Sequence, residues 1–251
     1  MKIAFVASHA KNSQAAIQRL TKRYGQADTD TADVIVVLGG DGFMLHSLHQ
    51  FMYQQIPLFG LRCGTVGFLM NNFEEDDLPE RIKKAQKTIL HPLSMQAQKV
   101  NGEEFSSLAI NEVSLLRQTK QSAHIEVRIN NQTKIDTLVG DGIMVATPAG
   151  STAYNLSAHG PVIPLGTKVL AVTPISPFRP RRWRGAIIPS HAEVCFRIKN
   201  DTKRPVAATA DNFEVRDVKQ VIVKEARDIE IELLFDAHHN LEDRIINEQF
   251  A

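Results

Sequence analysis

Val34-Ile35-Val36-Val37-Leu38-Gly39-Gly40-Asp41-Gly42 sets five consecutive apolar residues directly before three glycines and a single carboxylate. A continuous apolar run of this length reads as a strand buried on both faces. Beyond the turn, Met44, Leu45, Leu48, Phe51 and Met52 fit one face of a helix that opens near Phe43. Upstream, Lys2 to Ala7 reads as a first strand, and Ile17, Leu20 and Tyr24 recur at helical spacing between Ser13 and Tyr24. Downstream, the run Ile56 to Leu61 ends at Cys63-Gly64-Thr65-Val66-Gly67, a second glycine turn after a strand. Strands alternating with helices are the pattern of a parallel sheet covered on both faces. A further helix is predicted over Glu74 to Lys87, acidic at its start and basic at its end, the polarity that complements a helix dipole.

After Pro92 the pattern changes to short apolar runs without helices between them: Ala109 to Leu116, His124 to Ile129, Ile143 to Thr147, Val169 to Thr173, Glu193 to Ile198, Val221 to Lys224 and Ile229 to Phe235. Asn101-Gly102 and Asn130-Asn131 supply hairpin turn chemistry. The fold class is therefore α/β plus β: an α/β domain over 1–93 carrying the Gly-Gly-Asp-Gly turn, and a β-rich, sandwich-like domain over 94–236. The polar tail 237–251 is expected to join the first domain, in part as helix.

Composition excludes whole classes. The 251 residues are 43% apolar and 23% charged, which fits a soluble globular chain and not a disordered one. A net charge of +1 lacks the basic excess of a nucleic-acid binder, so any charged ligand must be met locally. No stretch approaches the ~20 apolar residues that span a bilayer. The opening MKIAFVASHAKNS turns polar after one short apolar run and predicts neither a signal peptide nor a membrane anchor. Cys63 and Cys195 lie far apart without metal-site spacing, which points to a reducing cytoplasm.

Three segments carry chemistry. At Gly39-Gly40-Asp41-Gly42, glycines permit positive φ and let main-chain N–H groups approach an anion, and the following helix adds its positive end, so a phosphate fits. Asp41 then has three readings: metal ligand, acceptor of a nucleophile's proton, or cap of its own helix. Asn111-Glu112 interrupts an apolar run, where polar side chains need partners. A ligand with hydroxyls supplies them, and a solvated strand edge or bulge is the alternative. The third segment runs from Gly140 through Pro148-Ala149-Gly150-Ser151-Thr152-Ala153-Tyr154-Asn155. It offers hydroxyls for ribose or phosphate oxygens, Tyr154 as a stacking wall and Asn155 for a base edge, although small residues also suit any tight turn. Walker A, G-x-G-x-x-G, protein-kinase and G-x-S-x-G motifs are absent.

The ordered set GGDG, NE and DG-x₅-PAGSTAYNLSAHGP, with PISPFRPRRW and Ala210-Asp211 downstream, resembles the bacterial members of the ATP-NAD kinase family over nearly the whole chain. The resemblance implies phosphorylation of the 2′-hydroxyl of the adenosine ribose of NAD to give NADP. The donor is ATP, another nucleoside triphosphate or polyphosphate, assisted by Mg²⁺ or another divalent cation. It places the site in a cleft between the two domains and makes the α/β domain nucleotide-binding. It implies Asp41 as catalytic residue, Gly39, Gly40 and Gly42 as phosphate-binding, and Gly42, Asn111, Glu112, Asp141, Thr152, Ala153, Tyr154 and Ser157 as NAD-binding, with no metal ligand among the side chains. Asp141 corresponds to a carboxylate near the nicotinamide end. A homodimer or homotetramer is implied, with no nucleic-acid or membrane partner. Two departures stand out: Phe43 replaces the usual Thr after GGDG, which bears on donor preference, and Ala149 replaces a common Thr or Ser. The rivals are a lipid or sugar kinase of the same superfamily and a non-catalytic NAD(P)-binding sensor. Arg179, Arg181, Arg182 and Arg184 around Trp183 read as a solvated loop, with an anion site or subunit contact as the alternative. His46 and His49 read as ordinary helix residues, and Cys63 and His238-His239 are assigned no role.

Overall fold

The computed structural model describes residues 1–64 and 67–237. It opens with β1 (Ile3–Ala7), α1 (Lys11–Tyr24), β2 (Val34–Gly39), α2 (Asp41–Phe51), β3 (Leu58–Arg62), α3 (Leu78–Lys84) and β4 (Gln86–Leu90). There follow β5 (Leu93–Lys99), β6 (Glu104–Ala109), β7 (Glu112–Arg117), β8 (Ala123–Ile129), β9 (Gln132–Gly140) and β10 (Gly142–Ala146). A 3-10 turn (Ala149–Thr152) and the short α4 (Tyr154–Ser157) lead to β11 (Val169–Ile175), β12 (Ala186–Pro189), β13 (Val194–Ile198), β14 (Val206–Ala210), β15 (Phe213–Val215), β16 (Val218–Glu225) and β17 (Ile231–Phe235). The chain divides into two units, Met1–Leu90 with the segment from Asp228 onward, and His91–Arg227.

The first unit is a five-stranded sheet in the order β1-β2-β3-β17-β4, parallel except for the antiparallel edge β4. β2 lies between β1 and β3, in register Phe5↔Val36↔Phe59, and every one of its residues is buried. Its apolar content follows from that position, since covering both faces of a strand leaves no solvated side. α1 turns Ser13, Ala16 and Leu20 inward, and α2 turns Met44, Ser47, Leu48 and Phe51 inward. Each such large apolar side chain contributes roughly 1.5–3 kcal/mol when fully buried.

Two sequence expectations need correction here. The segment Glu74 to Lys87 is not one helix: α3 begins at Leu78, after Asp77 in the left-handed region (φ 50), and ends at Lys84, because Gln86–Leu90 pairs with β17. The upstream acids serve other partners, Glu75 pairing with Arg19 and Asp76 with Arg23, each at 2.6 Å. The strand at Ile231–Phe235, which the sequence pattern groups with the β-rich domain, inserts between β3 and β4 in the first sheet. Nothing in its own alternation distinguishes the two destinations. The tail from residue 238 on, with His238-His239, lies outside the described residues.

The second unit is a sandwich of two six-stranded sheets, β12-β11-β10-β7-β14-β15 and β6-β5-β16-β13-β8-β9. Inward residues of both, among them Met95, Val113, Leu115, Ile125, Val145, Val172, Phe196 and Val221, form one apolar core. Asn130 (φ 49) and Asn131 (φ 63) are both left-handed, as a tight β8–β9 hairpin requires, and Asn101-Gly102 joins β5 to β6. The run Ala109 to Leu116, expected as one strand, is split: β6 ends at Ala109 in one sheet and β7 starts at Glu112 in the other. The two residues at the break, Ile110 and Asn111, belong to the site described next.

Candidate functional site

β2 ends at Gly39, and α2 starts at Asp41 rather than near Phe43, so the whole turn is compressed into the junction. The glycines are not there for left-handed backbone, since none of the three is among the positive-φ residues and Gly40 is extended (φ −128). What the structure shows is room: a Cβ built on Gly40 or Gly42 meets nothing within 4 Å among the described residues. Bare main chain facing open space at the first turn of a helix suits a phosphate. Asp41 does not cap α2, whose N-cap position is Gly40 and carries no side-chain bond. Its carboxylate reaches across the sheet end instead, Oδ2 accepting the Phe68 N–H at 2.6 Å and Oδ1 accepting the Leu69 N–H at 3.0 Å. Each oxygen retains a further lone pair. Phe43 lies against Gly39 and stacks on His46, with ring centroids 6.1 Å apart.

In the second unit, the break between β6 and β7 is gripped from two sides. The Asp211 carboxylate, from the turn between β14 and β15, accepts three successive main-chain N–H groups: Ile110 at 2.7 Å, Asn111 at 3.0 Å and Glu112 at 3.2 Å. The Asp211 N–H in turn donates to the Glu112 carbonyl at 3.1 Å. From β10, the Thr147 N–H donates to the Asn111 carbonyl at 2.9 Å and the Thr147 hydroxyl to the Ile110 carbonyl at 2.7 Å. The main chain of the turn is therefore well bonded, while its side chains are not. Asn111 Oδ1 and Glu112 Oε2 are buried without a hydrogen-bond partner among the described residues. Leaving such atoms unpaired costs about 1–3 kcal/mol each, which a ligand's donors would recover. Burial, and then the neighbouring Asp211, push the Glu112 carboxyl up to about 7.

The Pro148–Gly160 loop stands beside this turn. Gly150 is dictated by contact, because a Cβ there would meet the Asn111 carbonyl oxygen at 2.1 Å. Ser151 is fully buried, its hydroxyl donating to the Pro148 carbonyl at 2.7 Å and accepting the Ile163 N–H at 2.9 Å. Asn155, expected to read a base edge, is likewise committed to the fold: its amide donates to the Ser151 and Pro161 carbonyls and its Oδ1 accepts the Thr173 hydroxyl at 2.6 Å. Thr152, Ala153 and Tyr154 are half-buried and Ser157 is exposed. Burial raises the Tyr154 phenol above its ordinary range, helped by Glu112 and Asp141, which brings those three residues into one electrostatic neighbourhood. Asp141 pairs with Arg117 at 2.5 Å. Arg179, Arg181, Arg182 and Arg184 are all exposed, as a solvated loop requires, and Trp183 packs on the sandwich core. Among the described residues no three His, Cys, Asp or Glu side chains cluster as a metal site, and Cys63 and Cys195 are free thiols.

Sequence reasoning missed Asp211 and Thr147 as supports of the Asn111-Glu112 turn, and Phe68 and Leu69 as partners of Asp41. Their contacts span 27 to 101 residues, beyond any local motif. The one local sign at Asp211 is an Asp-Asn pair after a small-residue strand, which reads only as a turn.

Comparison with known proteins bears on these same segments. The model of the ATP-NAD kinase N-terminal domain matches residues 2–92, and that of the ATP-NAD kinase C-terminal domain matches residues 110–242. The chain is 54% identical over 252 residues to an NAD kinase of Xanthomonas oryzae, covering 100% of this chain and 98% of that one. It is 52% identical to an NAD kinase of Caulobacter vibrioides, covering 100% and 96%. Among solved structures, a yeast NADH kinase complexed with NADH superposes with a TM-score of 0.83 at 21% identity, covering 100% of this chain and 87% of that one. An Archaeoglobus fulgidus NAD kinase in complex with ATP gives 0.80 at 22% identity, covering 99% and 98%. At those identities the two structures bear on the fold alone.

Proposed function

This chain belongs to the ATP-NAD kinase family, a phosphotransferase family, and we propose that it converts NAD to NADP by phosphorylating the 2′-hydroxyl of the adenosine ribose, with Asp41 as the base and the Asn111-Glu112 turn as the dinucleotide grip. The observation that carries the reading is the pair of buried, partnerless oxygens at Asn111 and Glu112 on an otherwise fully bonded turn. Ribose hydroxyls are donors of the kind those oxygens lack. A ribose hydroxyl is also a poor nucleophile that must be oriented and relieved of its proton. The proton passes to Asp41, the oxygen bonds to the γ-phosphorus, and the bond from that phosphorus to the β–γ bridging oxygen breaks to release ADP. The two main-chain bonds on Asp41 fix the direction of its carboxylate and leave lone pairs for this transfer.

Gly39, Gly40 and Gly42 are assigned to the donor phosphates on the open space over Gly40 and Gly42. Thr152, Ala153, Tyr154, Ser157 and Asp141 are assigned to the remainder of the dinucleotide, on the shared neighbourhood of Tyr154, Glu112 and Asp141. A Mg²⁺ ion, which neutralises phosphate charge, ordinarily keeps waters and binds through one or two carboxylates plus phosphate oxygens. With Asp41 assigned to the proton, the ion would be held by the donor phosphates and waters, there being no cluster of three His, Cys, Asp or Glu among the described residues to cage it. A homodimer or homotetramer and a cytoplasmic location complete the proposal; they rest on family likeness and on the two free thiols. No described helix is long and apolar enough to cross a membrane.

The test is direct: purified chain with NAD, ATP and Mg²⁺, read through an NADP-specific dehydrogenase, forms NADP. No NADP with any nucleoside triphosphate or polyphosphate, in a preparation that still binds dinucleotide, would favour a sensor.

A further inference from the structure

We propose that Asp211 is a positioning residue of the dinucleotide grip, its carboxylate holding the turn from Ile110 to Glu112 so that Asn111 and Glu112 present their acceptor oxygens to the ligand. The inference rests on the assignment of those two side chains to NAD.

Three consecutive N–H groups converging on one carboxylate form a small anion-binding concavity, filled here by a side chain of the same protein. Hydrogen bonds to a charged acceptor are the stronger kind, and three of them define the main-chain path through Ile110 and Asn111, which belong to neither flanking strand, into Glu112, which opens β7. Asp211 is itself held in the left-handed region (φ 49), and its N–H returns to the Glu112 carbonyl, so the two turns are tied reciprocally. Thr147 holds the opposite side of the same turn through the Ile110 and Asn111 carbonyls. The outcome is a rigid main chain bearing two unsatisfied side-chain oxygens, an arrangement that has already met the cost of orientation before the ligand arrives.

Asp211 has a second, opposing effect. Its negative charge adds to burial in making Glu112 harder to ionise. Among the described residues, the Tyr154 phenol on α4 also faces Glu112. On β10 the residue opposite Glu112 is Ala146, which carries no charge, and on the other side β14 ends at Ala210 opposite Val113, so that the next residue, Asp211, is the one beside Glu112. Because ribose hydroxyls donate, the ionised form of Glu112 is the one that binds. Replacing Asp211 by a neutral side chain therefore loosens the grip while making Glu112 easier to ionise. A merely structural role would not produce that combination.

The experiment measures KM for NAD and kcat against pH for the full chain, Asp211→Asn and Glu112→Gln. In the unaltered protein KM for NAD falls as pH rises through about 7, the region to which the Glu112 carboxyl is pushed. Glu112→Gln raises KM and removes the inflection. Asp211→Asn raises KM at pH 8 by about tenfold, the scale of a lost charged hydrogen bond, with kcat and the KM for ATP little changed and the inflection moved to lower pH. If Glu112→Gln responds as described while Asp211→Asn keeps both KM and inflection, or loses kcat instead of KM, the positioning role is overturned. If Glu112→Gln itself leaves KM unchanged, the dinucleotide assignment fails and takes the proposal with it. Should Asp211→Asn not fold, Asp211→Glu, which keeps the charge one methylene out of place, is expected to raise KM with the inflection near its original pH; an unaltered KM there overturns the proposal.

Discussion

The two carboxylates at the centre of this account sit in opposite states. Asp41, on the glycine turn of the α/β unit, has both oxygens engaged by main-chain N–H groups of Phe68 and Leu69. Glu112, on the broken strand of the β unit, has a buried oxygen with no partner among the described residues, on a turn whose main chain is held by Asp211 and Thr147. A group that must move a proton at a set position is oriented by the protein in advance. A group that must bind is left unsatisfied, so that the ligand's donors recover its desolvation cost. On the proposed function, the contrast pairs chemistry at Asp41 with affinity at Glu112.

The largest effect that would sharpen the contrast is on turnover. Asp41→Asn is expected to lower kcat by roughly 10²–10⁴-fold, the range of general-base catalysis, in steady-state assays at saturating NAD and ATP. Next is Gly150→Ala, whose new methyl group would overlap the Asn111 carbonyl. It should destabilise the chain by on the order of 3 kcal/mol in denaturant unfolding and weaken NAD binding with it. Glu112→Gln should raise KM for NAD by roughly 10–100-fold with kcat changed far less. An equal fall in kcat would erase the distinction between the two sites.

A fourth expectation concerns pH and the ligand-free chain. Glu112 titrates near 7 in the folded protein against an ordinary value of 4.5, so the folded state binds the proton more tightly. Its contribution to stability is complete below the unfolded value and is lost as pH rises through the folded one. The loss is about 2 kcal/mol after partial screening by solvent. Unfolding free energies between pH 5 and 8 should show that decline in the unaltered chain and a shallower one in Glu112→Gln. The smallest effect belongs to Gly42→Ala, where the new Cβ meets open space on a helix. Stability should be unchanged or higher by about 0.5–1 kcal/mol, while KM for ATP rises as the methyl group crowds the phosphates.

The parts legible in sequence were those set by local pattern. The buried strand Val34–Gly39, the helix after it, the asparagine hairpin and the polar pair inside an apolar run all announced themselves within a dozen residues. What escaped was set by distance. β17 joins the first sheet because β3 and β4 leave a lane between them, and its own residues, IELLF, suit either sheet. Asn155 reads as a ligand contact by position, yet it is fully buried, with both amide hydrogens given to Ser151 and Pro161 and its oxygen bonded by Thr173. Of the two reasons the sequence offers for the glycines of the Asp41 turn, positive φ is met at none of the three, whereas bare main chain is left at Gly40 and Gly42, and Gly39 packs under Phe43. The supports of both carboxylates, Phe68, Leu69, Asp211 and Thr147, come from other elements, and although Thr147 and Asp211 fall within the quoted family pattern, nothing local in it shows which turn they hold.

The most direct measurement is a calorimetric NAD titration of purified Asp41→Asn protein, with NADP formation assayed on the same preparation. The account predicts an NAD dissociation constant close to that of the unaltered chain together with the loss of NADP formation. Substantial NADP formation, or loss of NAD binding in a protein that remains folded, would contradict the assignment of proton transfer to Asp41 and of binding to Asn111 and Glu112.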